Sequence, residues 1–172
     1  MTRTPARRSS SATGGPVDEP RWLDDDEMRA WRGLIQLTSD VRAALDAELL
    51  AEFGLSEGDY AVLVNLSESP ERRMRMCDLA ARLHLSPSGL TRRLDGLVRD
   101  GLVEREPSRD DRRVSLAVLT EAGFDRLAEA APVHVDGVRR HLLDHLTRAE
   151  IQELATAFER VRASRDRDSP SA

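Results

Sequence analysis

The segment that most constrains the fold is LSPSGLTRRLDGLVRDG, residues 85–101, because it predicts both ends of one short helix. Ser86 is a favourable N-cap residue, and Pro87 suits the first helical position, where its missing N–H leaves no hydrogen bond unmade. Gly101 can end the helix at its carboxyl side, because glycine readily adopts the left-handed conformation found there. We therefore expect a helix from about residue 87 to residue 100.

This helix has two chemically different faces when its residues are placed about 100° apart. The apolar face is formed by Leu90, Leu94, Leu97 and Val98. The polar face is formed by Ser88, Arg92 and Arg99, with Thr91 and Arg93 on its flanks. We expect the apolar face to pack on a core and the polar face to be exposed. Asp95 is expected to orient Arg92 or Arg99.

Three helices are expected before this segment. Residues 22–50 carry apolar side chains at steps of three and four, which predicts a long amphipathic helix that ends at Gly54. Ser56 can cap a second helix, with an acidic residue at the capping-box position three residues later. The segment SESPERR is predicted to be a loop, and MRMCDLAARLH is predicted to contain the next helix.

Two strands and two helices are expected after it. Apolar runs predict strands around residues 102–106 and 113–119, joined by a turn rich in arginine and aspartate. Thr120 opens a helix that is expected to reach about His145. The run TRAE, residues 147–150, is a capping box that begins the last helix.

Basic charge is concentrated in one part of an acidic protein. The net charge is −5, yet residues 72–113 contain 11 arginines and only seven acids. An acidic protein with one basic segment suggests an anionic partner that is confined to one face. A solvated helix face would carry the same charges, so composition alone leaves both explanations open.

A short helix, a capped helix and a two-stranded hairpin, in that order, form a winged helix-turn-helix. A recognition helix of this kind enters the major groove with its N-terminal half near the base edges. The polar residues in that half are Ser86, Ser88, Thr91 and Arg92. Arg93 and Arg109 would contact phosphates, and an arginine at the tip of the hairpin would reach the minor groove. The alternatives are a structural ion pair for Arg93 and a solvated turn with internal ion pairs for the hairpin.

The runs LAARLHLSPSGLTRRLDGLVRDGLVER and DDRRVSLAVLT resemble the MarR-type transcriptional regulators, and the resemblance extends over about residues 31–161. It implies a homodimer in which the first helix and the last two helices of both chains interlock. In that family the wing carries Asp-x-Arg, matched here by Asp111 and Arg113. The resemblance implies that Arg113 enters the minor groove while Asp111 holds its guanidinium.

The expected fold class is mainly α with a small β-hairpin wing, a winged helix-turn-helix joined to a helical dimerisation region. The expected organisation is a disordered tail (1–20), an N-terminal dimerisation helix (21–54), the winged DNA-binding domain (55–119), the C-terminal dimerisation helices (120–164) and a second disordered tail (165–172).

The function expected from these features is sequence-specific binding of double-stranded DNA by a homodimeric repressor. A small aromatic or anionic effector would release it from a pseudo-palindromic operator. The resemblance places that effector near Trp31, Tyr60 and His134, although these three side chains also suit packing in a core or interface. Competing hypotheses are a winged module that binds a small molecule or protein without DNA, and a duplex binder indifferent to sequence.

Other residues point to no further chemistry. No phosphate-binding loop, nucleophile elbow or dinucleotide fingerprint occurs, so neither an enzyme nor a cofactor is expected. His141 and His145 have the i, i+4 spacing of a metal site, but a surface or interface histidine pair is preferred. Cys77 stands alone and is expected to be partly buried and inert. With no long apolar run or signal-peptide core, the protein is expected to be soluble and cytoplasmic, with no membrane partner.

Overall fold

The computed structural model describes residues 20–108 and 114–168 of the 172-residue chain. Within these ranges the structure contains six α-helices and three β-strands. The helices are α1 (Asp25–Phe53), α2 (Glu57–Ser67), α3 (Met76–Arg82), α4 (Pro87–Arg99), α5 (Glu121–His141) and α6 (Arg148–Asp168). The strands are β1 (Arg73–Arg75), β2 (Val103–Pro107) and β3 (Ser115–Leu119). The predicted class, mainly α with a small β wing, is confirmed.

The described residues divide into two compact units, of which the first ends at Ile35 and the second begins at Gln36. In the first unit, Asp24 and Glu27 cap the start of α1 reciprocally. The Glu27 N–H donates to Asp24 Oδ1 at 2.8 Å, and the Asp24 N–H donates to Glu27 Oε2 at 3.0 Å. The division falls within α1, whereas the sequence placed a boundary at residue 54.

The helix ends of the second unit follow the capping residues in the sequence. The side chains of Ser56, Ser86, Thr120 and Thr147 each accept a hydrogen bond from the backbone N–H three residues later. Gly54 and Gly101 follow the ends of α1 and α4 with φ of +67° and +73°, a left-handed conformation that favours glycine. These local signals explain why the predicted order of helices is confirmed.

The core of the second unit lies between the end of α1, helices α2 to α5 and the sheet. Its largest fully buried side chains are Leu49, Val62, Leu63, Leu66, Leu79, Leu90, Leu94 and Val103. On α4 the predicted apolar face is confirmed for Leu90, Leu94 and Leu97, but Val98 is 37% exposed. Val98 lies at the edge of that face, where the core no longer covers the helix.

The three strands form an antiparallel sheet in the order β1-β3-β2. The segment SESPERR was expected to be a loop, but Ser67 still belongs to α2, and Arg73 already begins β1. Met74 of β1 is paired with Ala117 of β3, and both are buried. The two wing strands, β2 and β3, therefore belong to a three-stranded sheet. Its remaining strand, β1, pairs with β3 and is followed directly by α3.

Two helix ends and one side chain differ from expectation. Helix α5 ends at His141 instead of His145, because Leu142 leaves the helical region with φ −140° and ψ −66° and a 3-10 turn follows. Helix α6 continues to Asp168, so the tail predicted from residue 165 is helical up to that point. Cys77, in the first turn of α3, is exposed instead of partly buried.

Candidate nucleic-acid interface

Helix α4 presents a continuous exposed polar surface at its N-terminal half. The exposed residues are Ser86, Ser88, Thr91 and Arg92. Their hydroxyls are held close to the helix, since Ser86 Oγ lies 3.2 Å from Ser88 Oγ and Thr91 Oγ1 donates to the Pro87 carbonyl at 2.9 Å. Arg92 has no ion-pair partner among residues 20–108 and 114–168, so its five donors are available to an external acceptor.

Arg93 on the same helix is paired inside the protein. Its Nη1 donates to Ser56 Oγ at 3.0 Å and to Asp59 Oδ1 at 3.2 Å, both at the start of α2. The sequence left an ion pair and a phosphate contact open for this residue, and the geometry is that of the ion pair. The partner was not predicted, because nothing in the sequence places residue 93 beside residue 59.

Arg105 of β2 is a second internal contact to α4. Its Nη2 lies 2.8 Å from Asp95 Oδ1 and donates to the Thr91 carbonyl at 2.9 Å. The prediction that Asp95 orients Arg92 or Arg99 was therefore wrong, and Arg99 instead pairs with Asp100 at 3.2 Å. Asp95 pairs with a residue of the neighbouring strand and not with one on its own helix, because β2 brings the Arg105 guanidinium to the Asp95 carboxylate.

The described part of the wing consists of the paired strands β2 and β3. Their pairing continues to the end of the described segments, where the Ser108 N–H donates to the Val114 carbonyl at 2.8 Å. The three predicted wing contacts, Arg109, Asp111 and Arg113, lie outside the described residues. The strands therefore support the hairpin prediction, while the assigned roles of its tip stay predictions.

Two of the three predicted effector residues are in contact. The rings of Tyr60 and His134 stack with centroids 4.3 Å apart and an interplanar angle of 27°. Burial raises the pKa of the Tyr60 hydroxyl. Burial also lowers the pKa of His134, against the opposing effect of the nearby Glu57 carboxylate. The buried Nδ1 of His134 has no hydrogen-bond partner among the described residues, and Trp31 belongs to the N-terminal unit and is 55% exposed.

The histidine pair of α5 has protein partners. His141 Nε2 lies 2.7 Å from Glu48 Oε1, and His145 Nε2 lies 2.9 Å from the Arg140 carbonyl. The hydrogen bond from His141, with the positive charge of Arg140, holds the pKa of Glu48 below its usual range. No group of three or more histidine, cysteine or acidic residues suited to a metal ion occurs in the part of the chain that is described.

None of the helices formed by the described residues is sufficiently long and apolar to cross a membrane.

Known proteins are similar to this chain over most of its length. A family model described as MarR family matches residues 53–114. The HTH-type transcriptional repressor YetL of Bacillus subtilis is 32% identical over 116 residues, which cover 66% of this chain and 70% of YetL.

Two crystal structures from Streptomyces coelicolor are also similar. AbsC, a MarR family transcriptional regulator, is 40% identical with a TM-score of 0.79, and the match covers 87% of this chain and 100% of AbsC. Sco3205, a MarR family transcriptional regulator in complex with DNA, is 36% identical with a TM-score of 0.79, covering 86% of this chain and 92% of Sco3205. Sequence, fold and the capped α4 thus agree, and the chain belongs to the MarR family.

Proposed function

We propose that this chain regulates transcription by placing α4, the recognition helix, in the major groove of double-stranded DNA. The observation that carries the proposal is the exposed N-terminal half of α4, where Arg92 has no ion-pair partner within the described ranges. An arginine in this position can donate two parallel hydrogen bonds to the O6 and N7 acceptors of a guanine. As a MarR family regulator the chain is not an enzyme, as the sequence predicts.

The contacts that we propose fall into two groups. Those in the major groove are Ser86, Ser88, Thr91 and Arg92. Those of the wing rest on the sequence alone: Arg113 enters the minor groove, Asp111 holds it, and Arg109 contacts a phosphate. Arg93 is left out of both groups, because its guanidinium is paired with Asp59.

The proposal includes a homodimer that binds two half-sites about one helical turn apart. In the N-terminal unit, α1 exposes Trp31, Leu34 and Ile35, which are apolar. In the second unit, α6 exposes Leu154, Phe158 and Val161 at helical spacing. Contiguous exposed apolar side chains on single helices favour burial against another chain. YetL is named a repressor, and we propose repression for this chain as well.

We further propose that a small aromatic or anionic effector binds near Tyr60 and His134, within the second unit, and releases the DNA. The stacked rings of Tyr60 and His134 support an aromatic ligand, since a third ring can extend such a stack. The buried His134 Nδ1 supplies a polar atom without a described partner, which a ligand could satisfy. The proposal places the protein in the cytoplasm, together with the DNA that it would bind.

Selection from a pool of random DNA duplexes tests the proposal, because the protein itself then picks out the sequence that it binds. We expect the purified protein to enrich an inverted repeat, to bind it as a dimer, and to bind a shuffled duplex of equal length far more weakly. Arg92→Ala should relax the preference at one position of each half-site and cost about 1–3 kcal/mol there. Arg148→Ala, which removes an exposed arginine from α6, is the matched control. A pool that stays random after repeated rounds contradicts the proposal.

A further inference from the structure

Ser56 and Asp59, at the start of α2, accept hydrogen bonds from Arg93 and are also hydrogen-bonded to each other. Ser56 Oγ accepts from the Asp59 N–H at 3.1 Å and from Arg93 Nη1 at 3.0 Å, and it donates its own proton to Asp59 Oδ2. Asp59 Oδ2 also accepts the Ser56 N–H at 3.1 Å, while Oδ1 accepts from Arg93 at 3.2 Å. The guanidinium therefore joins a complete capping box, and the pair is only about a quarter to a third exposed, at 30% and 25%.

Gly58 makes room for this guanidinium. A Cβ atom at Gly58 would overlap Nη1, Nη2 and the central carbon of Arg93. Gly58 lies inside α2 without a positive φ, so the backbone conformation does not require glycine there. The Arg93 guanidinium occupies the space where a Cβ would lie, so a side chain at residue 58 would force this flexible end of Arg93 to move.

The start of α2 is itself fixed to the second-unit part of α1. The Glu57 N–H donates to Asp46 Oδ1 at 2.8 Å, and Arg42 Nη2 donates to Glu57 Oε2 at 2.6 Å. The side chain of Arg93 therefore connects the recognition helix to the start of α2, which is itself hydrogen-bonded to α1. Since Arg93 follows the proposed base contact Arg92 directly, a change in the Arg93 contact would change the angle at which α4 meets the duplex.

We propose that Arg93 is a positioning residue for DNA recognition, which holds α4 against the start of α2 through Ser56, Asp59 and the gap at Gly58. It acts through Arg92 and its neighbours and does not contact phosphate. This inference rests on the proposed function, because it concerns how precisely α4 is presented to a base sequence.

Binding to two duplexes over a range of salt concentrations tests the inference. The probes are the duplex that the wild-type protein selects from a random pool and a shuffled duplex of the same length. Arg93→Ala and Gly58→Ala should each lower affinity for the selected duplex about tenfold, the equivalent of losing one good base contact. Affinity for the shuffled duplex and the dependence on salt should stay unchanged, and the double variant should be no worse than either single variant.

Gly96→Ala on α4 is the matched control, because its Cβ would meet only Arg99 Nη2 at 3.9 Å, and it should bind like the wild type. A phosphate contact would instead lower affinity for both duplexes and reduce the salt slope by about 0.9, which would overturn the inference. A lower melting temperature with an unchanged ratio of the two affinities would also overturn it, since Arg93 would then be merely structural. Failure to select any duplex would refute the proposed function, and the inference with it.

Discussion

Arg105 on β2 and Asp95 on α4 lie 2.8 Å apart, so a single ion pair joins the first strand of the wing to the recognition helix. The same Nη2 donates to the Thr91 carbonyl, one turn before Asp95. Asp95 is 60% exposed on the helix that we propose faces DNA. Without a partner its carboxylate would repel phosphates, and Arg105 offsets that charge.

Removal of Arg105 should therefore weaken DNA binding more than it weakens the fold. For Arg105→Ala we expect affinity for the selected duplex to fall about two- to fivefold, since an exposed charge pair contributes up to about 1 kcal/mol. Fluorescence anisotropy at low salt measures this effect. Adding Asp95→Asn to Arg105→Ala removes the unpaired charge and should restore part of the affinity. Equal binding by Arg105→Ala and the wild type would show that the pair has no role in recognition.

The proposed roles of Arg109 and Arg113 in the wing should be distinguished by how the loss of each side chain changes the salt dependence of DNA binding. Arg113→Ala should cause the larger loss of affinity, at least about tenfold, because a minor-groove arginine reads the shape of a narrow groove. Arg109→Ala should reduce the salt slope by about 0.9 and weaken selected and shuffled duplexes alike, as expected for one phosphate contact. Titrations at several salt concentrations distinguish these outcomes, and identical behaviour of both variants would contradict the division of roles.

The elements that the sequence predicts well are those specified within a few residues. The bounds of α4 are specified by residues at its two ends, Ser86 and Pro87 at the start and Gly101 beyond the end. These residues act through local capping and backbone conformation, and the observed bounds agree with the prediction. Strand β1 has no such local signal. Its three residues, Arg-Met-Arg, form a strand because they pair with β3, which lies more than 40 residues later in the chain.

The features of the candidate site could likewise be predicted only where they depend on nearby residues. The exposure of Arg92 follows from the helical wheel, whereas the partners of Arg93 and Asp95 depend on how α2 and β2 approach α4. Gly58 gave no signal at all, because the guanidinium that a side chain there would displace belongs to Arg93, 35 positions away. Long-range ion pairs of this kind require the assembled fold, even where every element has been identified.

Gly123 should be required for stability because of its position at the start of α5. A Cβ there would overlap the carbonyl oxygen of Leu102, a backbone atom that cannot move aside without disturbing β2. Gly123→Ala should therefore lower the free energy of unfolding by about 1–3 kcal/mol. Urea unfolding measures the change. The control Gly96→Ala meets no such obstacle and should be neutral or stabilising by up to about 1 kcal/mol. A Gly123→Ala protein as stable as the control would contradict the clash.

His134 should make the folded state sensitive to mild acid. Its pKa in the folded protein is lowered by burial, so the unfolded chain takes up a proton there at a higher pH than the folded chain does. The stability associated with neutral His134 is therefore fully present above the ordinary histidine pKa, near 6.5, and is lost as pH falls below that value towards the folded pKa. His134→Phe keeps a ring stacked on Tyr60 but cannot be protonated.

Chemical denaturation at about pH 7.5 and about pH 5, on either side of the ordinary histidine pKa, measures this dependence. We expect the wild-type protein to lose more stability than His134→Phe between the two conditions, because only the wild type must bury a group that acid would charge. Tyr60 stays neutral over this range, since burial raises its pKa, so it does not contribute to the difference. An equal loss of stability in both proteins would show that His134 is protonated as easily in the folded state as in the unfolded chain.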